Sequence, residues 1–315
     1  MKDKIKIGIQ NLHLDEVNCL KELLTRPGIE FYVWRKHDFD IDELKSCDAL
    51  ILFARRHWRY IKFGKPYLLI LADYVSNQKA INLSKNRRFG LFGYNYYPNN
   101  LFKGFLCGSI ELFQTVSSEK IPSVFYPKKY PFSELFRGLQ KTASPNDPKE
   151  IVTLINDYAR TAGKPKWSKP ENSYKVFKTI TEKVKTFHFT HYGSPHNQKN
   201  FEESNRIQFN ARYTIHIKYW GHVCNAVVKS LALGTPVIMD EETFKKGRYK
   251  SYIRNDENGL VFKNKEEVIN YLNGQDEQEN WKKLKANCIN EAMLWHFPYS
   301  SEQKKAVAEL LDFLE

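Results

Sequence analysis

Short apolar runs alternate with helical patterns along the first 75 residues, and this alternation constrains the fold more than any other feature. The predicted strands are residues 5–9, 29–34, 49–53 and 67–71, and the predicted helices are residues 15–26, 40–47 and 55–63. Because these strands are almost continuously apolar, both of their faces must be covered, as in a parallel sheet with helices on either side. The pattern therefore predicts a Rossmann-like α/β domain without a glycine-rich dinucleotide fingerprint.

The same alternation returns in the second half of the chain. The predicted strands are residues 186–192, 213–218, 236–239 and 259–262, and the predicted helices are residues 148–163, 173–184, 223–233, 265–273, 277–295 and 301–315. Residues 77–147 give weak signals apart from a candidate strand at 122–127. We therefore expect two doubly wound Rossmann-like domains, residues 1–120 and 121–298, with a cleft between them, and a last helix at 299–315 that packs back on the first domain.

The composition indicates in which cellular compartment the protein works and which classes of partner it favours. No apolar run is long enough to span a bilayer, and the amino terminus, MKDKIKIGIQ, lacks the apolar block of a signal peptide. The five cysteines are scattered and form no CxxC pair, so they support neither a disulfide framework nor a cysteine zinc site. We expect a soluble cytoplasmic protein. Its net charge of +13 favours a phosphorylated substrate, an acidic lipid surface or nucleic acid, unless the charge serves solubility alone.

One stretch, GHVCNAVVKSLALGTPVI at residues 221–238, combines features that suit an anionic ligand. A predicted strand is followed by Gly221, then by a helix that opens near Asn225, and then by a Gly-Thr-Pro turn into the next strand. The amino end of such a helix presents backbone N–H groups and the positive end of the helix dipole. A glycine just before it lets the backbone approach a diphosphate closely.

This stretch, with ENGLVF at 257–262 and the two-domain layout, resembles the donor-binding half of GT-B glycosyltransferases. The resemblance implies transfer of a sugar from a nucleoside-diphosphate sugar to a glycan, lipid-linked or other anionic acceptor, without an obligatory metal or cofactor. A lipid-linked acceptor would add peripheral attachment at the inner membrane surface. The implied donor contacts lie in the second half of the chain, and the candidates are Lys218, Gly221, His222, Asn225, Lys229, His191 and His196.

Two positions depart from the pattern of that family. Its members commonly carry two glutamates separated by seven residues, and this chain has Gly221 and Lys229 in their places. The second glutamate holds the donor ribose in the family, and a lysine cannot replace it there because an ammonium only donates hydrogen bonds. It can, however, pair with phosphate. We therefore expect Lys229 to face the diphosphate. The alternatives are a donor that binds in a different position, a surface lysine, or a catalytically silent binding module.

Histidines cluster in the same half of the chain, five of them between residues 188 and 222. A metal site is one hypothesis, since neutral imidazole is a common zinc ligand. The strand predictions favour hydrogen bonding instead, because His191, His196 and His222 fall near strand ends, where a donor would lie.

The acceptor side needs a base, and the first domain should supply it. His13 and Asp15 follow the first predicted strand, and Asp73 follows the fourth. Asp15 equally suits the capping of the first helix.

The segment RRHWRYIKFGK, residues 55–65, alternates basic and aromatic side chains. It could contact an anionic lipid surface, nucleic-acid phosphates with Trp58 and Tyr60 stacking on bases, or only solvent. A DNA-modifying glycosyltransferase is thus the alternative enzyme.

Overall fold

The computed structural model of the protein describes residues 4–11, 14–35, 38–53, 60–71, 101–137, 139, 147–156, 158, 173–193, 197–219 and 223–312. The chain divides into two compact units. Unit 1 comprises Met1–Lys128 together with Pro298–Glu315, and unit 2 comprises Lys129–Phe297. In the described part of the chain, no helix is long and apolar enough to cross a membrane.

Unit 1 is built on a parallel sheet of six described strands in the order β2-β1-β3-β4-β5-β6. These strands are β1 (Ile5–Asn11), β2 (Ile29–Arg35), β3 (Ala49–Phe53), β4 (Tyr67–Leu71), β5 (Phe102–Cys107) and β6 (Ser123–Phe125). Every residue of β3 and β4 is buried, as the unbroken apolar runs predicted. The described helices are α1 (Leu14–Leu24), α2 (Ile41–Ser46) and α3 (Ile110–Ser118). The last helix of the chain, numbered α11 below (Ser301–Glu309), also belongs to this unit and packs against α1.

Unit 2 has a second parallel sheet, with five described strands in the order β11-β10-β9-β7-β8. They are β7 (Glu150–Leu154), β8 (His188–Tyr192), β9 (Tyr213–Ile215), β10 (Val237–Asp240) and β11 (Gly259–Phe262). The described helices are α4 (Phe132–Leu135), α5 (Ser173–Lys183), α6 (Phe201–Asn210), α7 (Asn225–Ala232), α8 (Glu241–Gly247), α9 (Lys265–Leu272) and α10 (Glu277–Glu291). The two parallel sheets with their crossover helices confirm the prediction of two Rossmann-like domains.

The predicted helix at residues 148–163 is wrong. Its first part is β7, which pairs with both β8 and β9 and is therefore an inner strand of the sheet. The β-branched side chains of Ile151, Val152 and Thr153 are fully buried, and such side chains suit a strand that is covered on both faces. The predicted helix 55–63 lies largely outside the described residues; its described end is a 3-10 turn, Ile61–Phe63.

Strand β5 and helices α3, α4, α6 and α8 were not predicted. Helix α6 begins with a capping box in which the side chains of Asn200 and Glu203 each accept a hydrogen bond from the other residue's backbone. Helix α8 is capped by Asp240, whose carboxylate accepts from the N–H of Thr243. Helices α6 and α8 carry few apolar side chains, so the apolar pattern did not reveal them.

Candidate functional site

The strand order of unit 2 reverses between β7 and β9. The chain runs from β7 outward to β8, returns to β9 on the other side of β7, and then continues through β10 to β11. In open parallel sheets, ligands bind beyond the carboxyl ends of the strands at such a reversal, because the loops from the two strands there diverge and leave a crevice. The residues that follow β7 and β9 are therefore the first candidates for a ligand site.

Lys218 lies just beyond β9 at this edge, and the backbone around it is held by neighbouring side chains. Its backbone N–H donates to Oγ1 of Thr243 at 2.9 Å. The hydroxyl of Tyr219 donates to Oδ2 of Asp240 at 2.6 Å, while Oδ1 of the same carboxylate caps α8. Asp240 therefore fixes the ends of β9 and β10 relative to each other and keeps half-buried Lys218 at the carboxyl edge.

The amino end of α7 lies at the same edge, because α7 follows β9. Cys224 is its N-cap residue and makes no side-chain cap bond, but its backbone N–H donates to the hydroxyl of buried Tyr249 at 3.1 Å. Asn225, the first residue of α7, is half-buried, and its carbonyl accepts from the Tyr130 hydroxyl at 3.4 Å. The start of α7 is thus anchored from two directions, and its dipole favours negative charge beyond it.

Lys229 lies one turn into α7, on the same side of the helix as Asn225. Only 9% of Lys229 is exposed, so the alternative of a surface lysine is wrong. Its Nζ lies 4.4 Å from the centre of the Phe201 ring, at the first turn of α6. Because α6 follows β8 and α7 follows β9, both helices begin at the carboxyl edge of the sheet. The ammonium of Lys229 is therefore held near the starts of two helices.

His191, in β8, makes a hydrogen bond to the backbone just beyond β7. Its Nε2 lies 2.7 Å from the carbonyl oxygen of Ile155, so that nitrogen carries a proton and donates, because a carbonyl oxygen only accepts. Gly193 follows directly and approaches the same carbonyl so closely that a Cβ would lie 2.5 Å from it, at a φ of +158°. The turn after β8 therefore requires glycine. Because Nε2 of His191 donates to Ile155, Nδ1 is the ring nitrogen left to contact a ligand.

His216 is fully buried at the end of β9, and among the described residues neither of its ring nitrogens has a hydrogen-bond partner. Burial lowers the pKa of His216 to about 3, with a smaller contribution from Lys218, so the ring is neutral at any working pH. Its ring meets that of Tyr249 edge to face at 5.8 Å. His216 therefore supports the residue that anchors α7 and, being inaccessible, does not reach a ligand.

Several predicted residues lie outside the described part of the chain, namely Gly221, His222, His196, His13, Asp73 and residues 55–59 of the basic segment. Asp15 is described and lies half-buried in the first turn of α1, in unit 1. Within the described ranges, no group of three or more His, Cys, Asp or Glu side chains is placed to hold a metal ion. Unit 2 thus brings together Lys218, Asn225 and Lys229 at one edge of its sheet.

Comparison with known proteins identifies the fold. Neither a protein-family model nor a curated protein sequence matches the chain. Among solved structures, it is similar to HepE from Anabaena in complex with UDP-glucose, at 12% identity and a TM-score of 0.58 over 98% of this chain and 100% of that one. It is also similar to a sucrose-phosphate synthase from Thermosynechococcus elongatus, at 11% identity and a TM-score of 0.59 over 99% of both chains.

A third similar structure is the pneumococcal O-GlcNAc transferase GtfA in complex with UDP and GlcNAc, at 13% identity and a TM-score of 0.51. That match covers 84% of this chain and 56% of GtfA. The chain therefore has the GT-B glycosyltransferase-like fold, as its sequence motif implied.

Proposed function

We propose that the chain is a glycosyltransferase that moves a hexosyl or pentosyl group from a nucleoside-diphosphate sugar to a glycan, lipid-linked or other anionic acceptor. The observation that carries the proposal is the carboxyl edge of unit 2, where the strand reversal, the amino end of α7 and two lysines, Lys218 and Lys229, lie together. The structural neighbours that hold UDP or UDP-glucose support a nucleotide sugar as the donor.

In the transfer, the bond between the anomeric carbon and the diphosphate oxygen breaks, and its electron pair stays on the diphosphate. The acceptor hydroxyl oxygen bonds to that carbon and loses its proton to a base. The dipole of α7 and the ammonium groups of Lys218 and Lys229 would stabilise the charge on the departing diphosphate. Gly221, His222 and His196 are further candidate donor contacts. For the base we propose Asp73, with His13 and Asp15 as the alternatives.

A thermal-shift screen against UDP, GDP, TDP, ADP and their sugars tests the donor half of this proposal. A ligand that binds only the folded state raises apparent stability by about 2.7 kcal/mol at a hundred times its Kd. We expect one nucleoside diphosphate to shift the melting temperature and its nucleoside to shift it much less. Release of that diphosphate from its sugar, measured in a coupled assay, then tests catalysis.

The outcomes of the screen separate the two halves of the proposal. Binding of a diphosphate without release from any of its sugars, in the presence of glycan and lipid-linked acceptors, would contradict the enzymatic half and point to a binding module. Absence of a shift with all four diphosphates would contradict the donor site itself.

A further inference from the structure

Two phenylalanines of α6 each lie beneath a buried lysine of a neighbouring helix. Phe201, in the first turn of α6, lies 4.4 Å from Nζ of Lys229 on α7. Phe209, near the end of α6, lies 5.6 Å from Nζ of Lys285 on α10. Lys229 and Lys285 are 9% and 8% exposed, respectively. The two pairs are alike in chemistry and differ in place: the first lies at the carboxyl edge of the sheet and the second lies toward the opposite edge.

The place of the first pair follows from the topology. Helices α6 and α7 both run away from the carboxyl edge, so the first turn of α6 lies beside the first turns of α7. The capping box at Asn200 and Glu203 fixes where α6 begins and hence where the Phe201 ring stands. By contrast, Nζ of Lys285 lies 3.5 Å from Oγ1 of Thr235, in the turn that leads into β10, which is the amino end of that strand.

A ring face attracts an ammonium and fixes its position without neutralising its charge. A carboxylate in the same place would cancel the positive charge and would repel a phosphate. The lysine side chain has four flexible carbon–carbon bonds, so the Lys229 ammonium needs a neighbour that determines its direction. Phe201 is such a neighbour, because the centre of its ring lies 4.4 Å from Nζ and the ring face attracts the ammonium.

We propose that Phe201 is the positioning residue for Lys229: its ring holds the ammonium toward a diphosphate bound at the amino end of α7. This inference rests on the proposed function, since that function supplies the diphosphate. It also assigns α6 a part in the donor site, through a single aromatic side chain. Phe209 and Lys285 form a matched pair with no such part.

The test is calorimetric binding of whichever of UDP, GDP, TDP and ADP gives the largest thermal shift, with its nucleoside as the reference. Phe201→Leu should weaken diphosphate binding about threefold to thirtyfold and leave nucleoside binding unchanged. Phe201→Tyr, which keeps the ring, should restore most of the affinity. Phe209→Leu, at the other end of the same helix, should leave both affinities as in the parent.

A double-mutant cycle separates positioning from packing. In a Lys229→Met background, Phe201→Leu should have no further effect on diphosphate binding, because the group that it positions is gone. If Phe201→Leu weakens diphosphate binding equally in both backgrounds, or in neither, the positioning role is overturned while the donor site stands. If the correctly folded parent binds none of the four diphosphates, the proposed function fails and this inference fails with it.

Discussion

Unit 2 buries two kinds of cation, and their surroundings differ. Arg212 has no exposed surface, and its guanidinium binds both carboxylate oxygens of Glu277, one of them at 3.0 Å, as well as Asp147 and Gln278. Lys229 and Lys285 lie over the rings of Phe201 and Phe209. Burial alone would lower the pKa of Arg212, but its hydrogen bonds to Glu277 raise that pKa above the ordinary value.

The difference indicates what each cation is for. Carboxylates that pair with a buried cation neutralise its charge, so no ligand is needed for that purpose. Such an ion pair links parts of the fold, and Arg212 links the start of β9 to α10. An aromatic ring attracts a buried ammonium but brings no opposite charge, so the ring alone does not offset the cost of burying that charge. The two lysines differ in their place in the sheet: Lys229 lies at the carboxyl edge, where we propose that the diphosphate binds, and Lys285 lies away from that edge.

Replacement of Arg212 should have the largest effect on the stability of the protein. Arg212→Met should lower the free energy of unfolding by about 3–5 kcal/mol, because the buried Glu277 carboxylate would lose the cation that it is paired with. Lys149 is the matched control, since it binds the same Asp147 but is about half exposed, and Lys149→Met should cost less than about 1 kcal/mol. Scanning calorimetry of both variants measures this, and equal losses would contradict the structural role of Arg212.

Replacement of Lys285 should raise the free energy of unfolding, whereas replacement of Arg212 should lower it. Burial lowers the pKa of Lys285 from 10.5 to about 8, so the unfolded chain binds this proton more tightly than the folded chain does. The contribution of Lys285 to the free energy of unfolding is therefore lowest below pH 8. It rises as the pH increases from 8 to 10.5 and is constant above that range. Lys285→Met should stabilise the protein at pH 7 by up to about 3 kcal/mol, and the gain should vanish near pH 10.5.

The measurement for Lys285 is the difference in unfolding free energy between Lys285→Met and the parent across pH 7 to 10.5. Taking the difference removes the tyrosines and cysteines that titrate in the same range in both proteins. A difference that does not change with pH would show that Lys285 is not desolvated as the structure indicates.

Local pattern predicted most of the strands whose burial is continuous and most of the helices with an apolar stripe, but it missed β5 and α3. It misread β7 because Ile151 and Val152 become an inner strand only by pairing with β8 and β9, which are distant in sequence. It missed α6 because that helix packs through polar groups: Gln208 and Asn205 are buried, and the side-chain amide of Gln208 donates to the carbonyl of Ala226 at 2.7 Å. An apolar periodicity cannot reveal a helix with a polar buried face.

The candidate site was predictable only in part, for the same reason. The motif at residues 221–238 pointed to α7 and to Lys229, because a helix start between two strands is a local signal. The strand reversal between β7 and β9 depends on long-range pairing, so no local stretch could indicate it. Phe201 was missed along with α6, and Tyr249, which anchors Cys224, is 25 residues away in sequence. A glutamate three residues after Asn200 was the one available signal for the start of α6.

The most direct test of the account is the affinity of Lys229 variants for nucleoside, monophosphate and diphosphate, measured by calorimetry. If the Lys229 ammonium faces the diphosphate, Lys229→Ala should weaken diphosphate binding by about 1.5–3 kcal/mol, roughly ten- to a hundredfold, and barely change nucleoside binding. Lys229→Glu should weaken it further, since a carboxylate repels phosphate. Lys285→Met should bind as the parent does. Diphosphate binding by Lys229→Glu that equals or exceeds that of the parent would contradict the account.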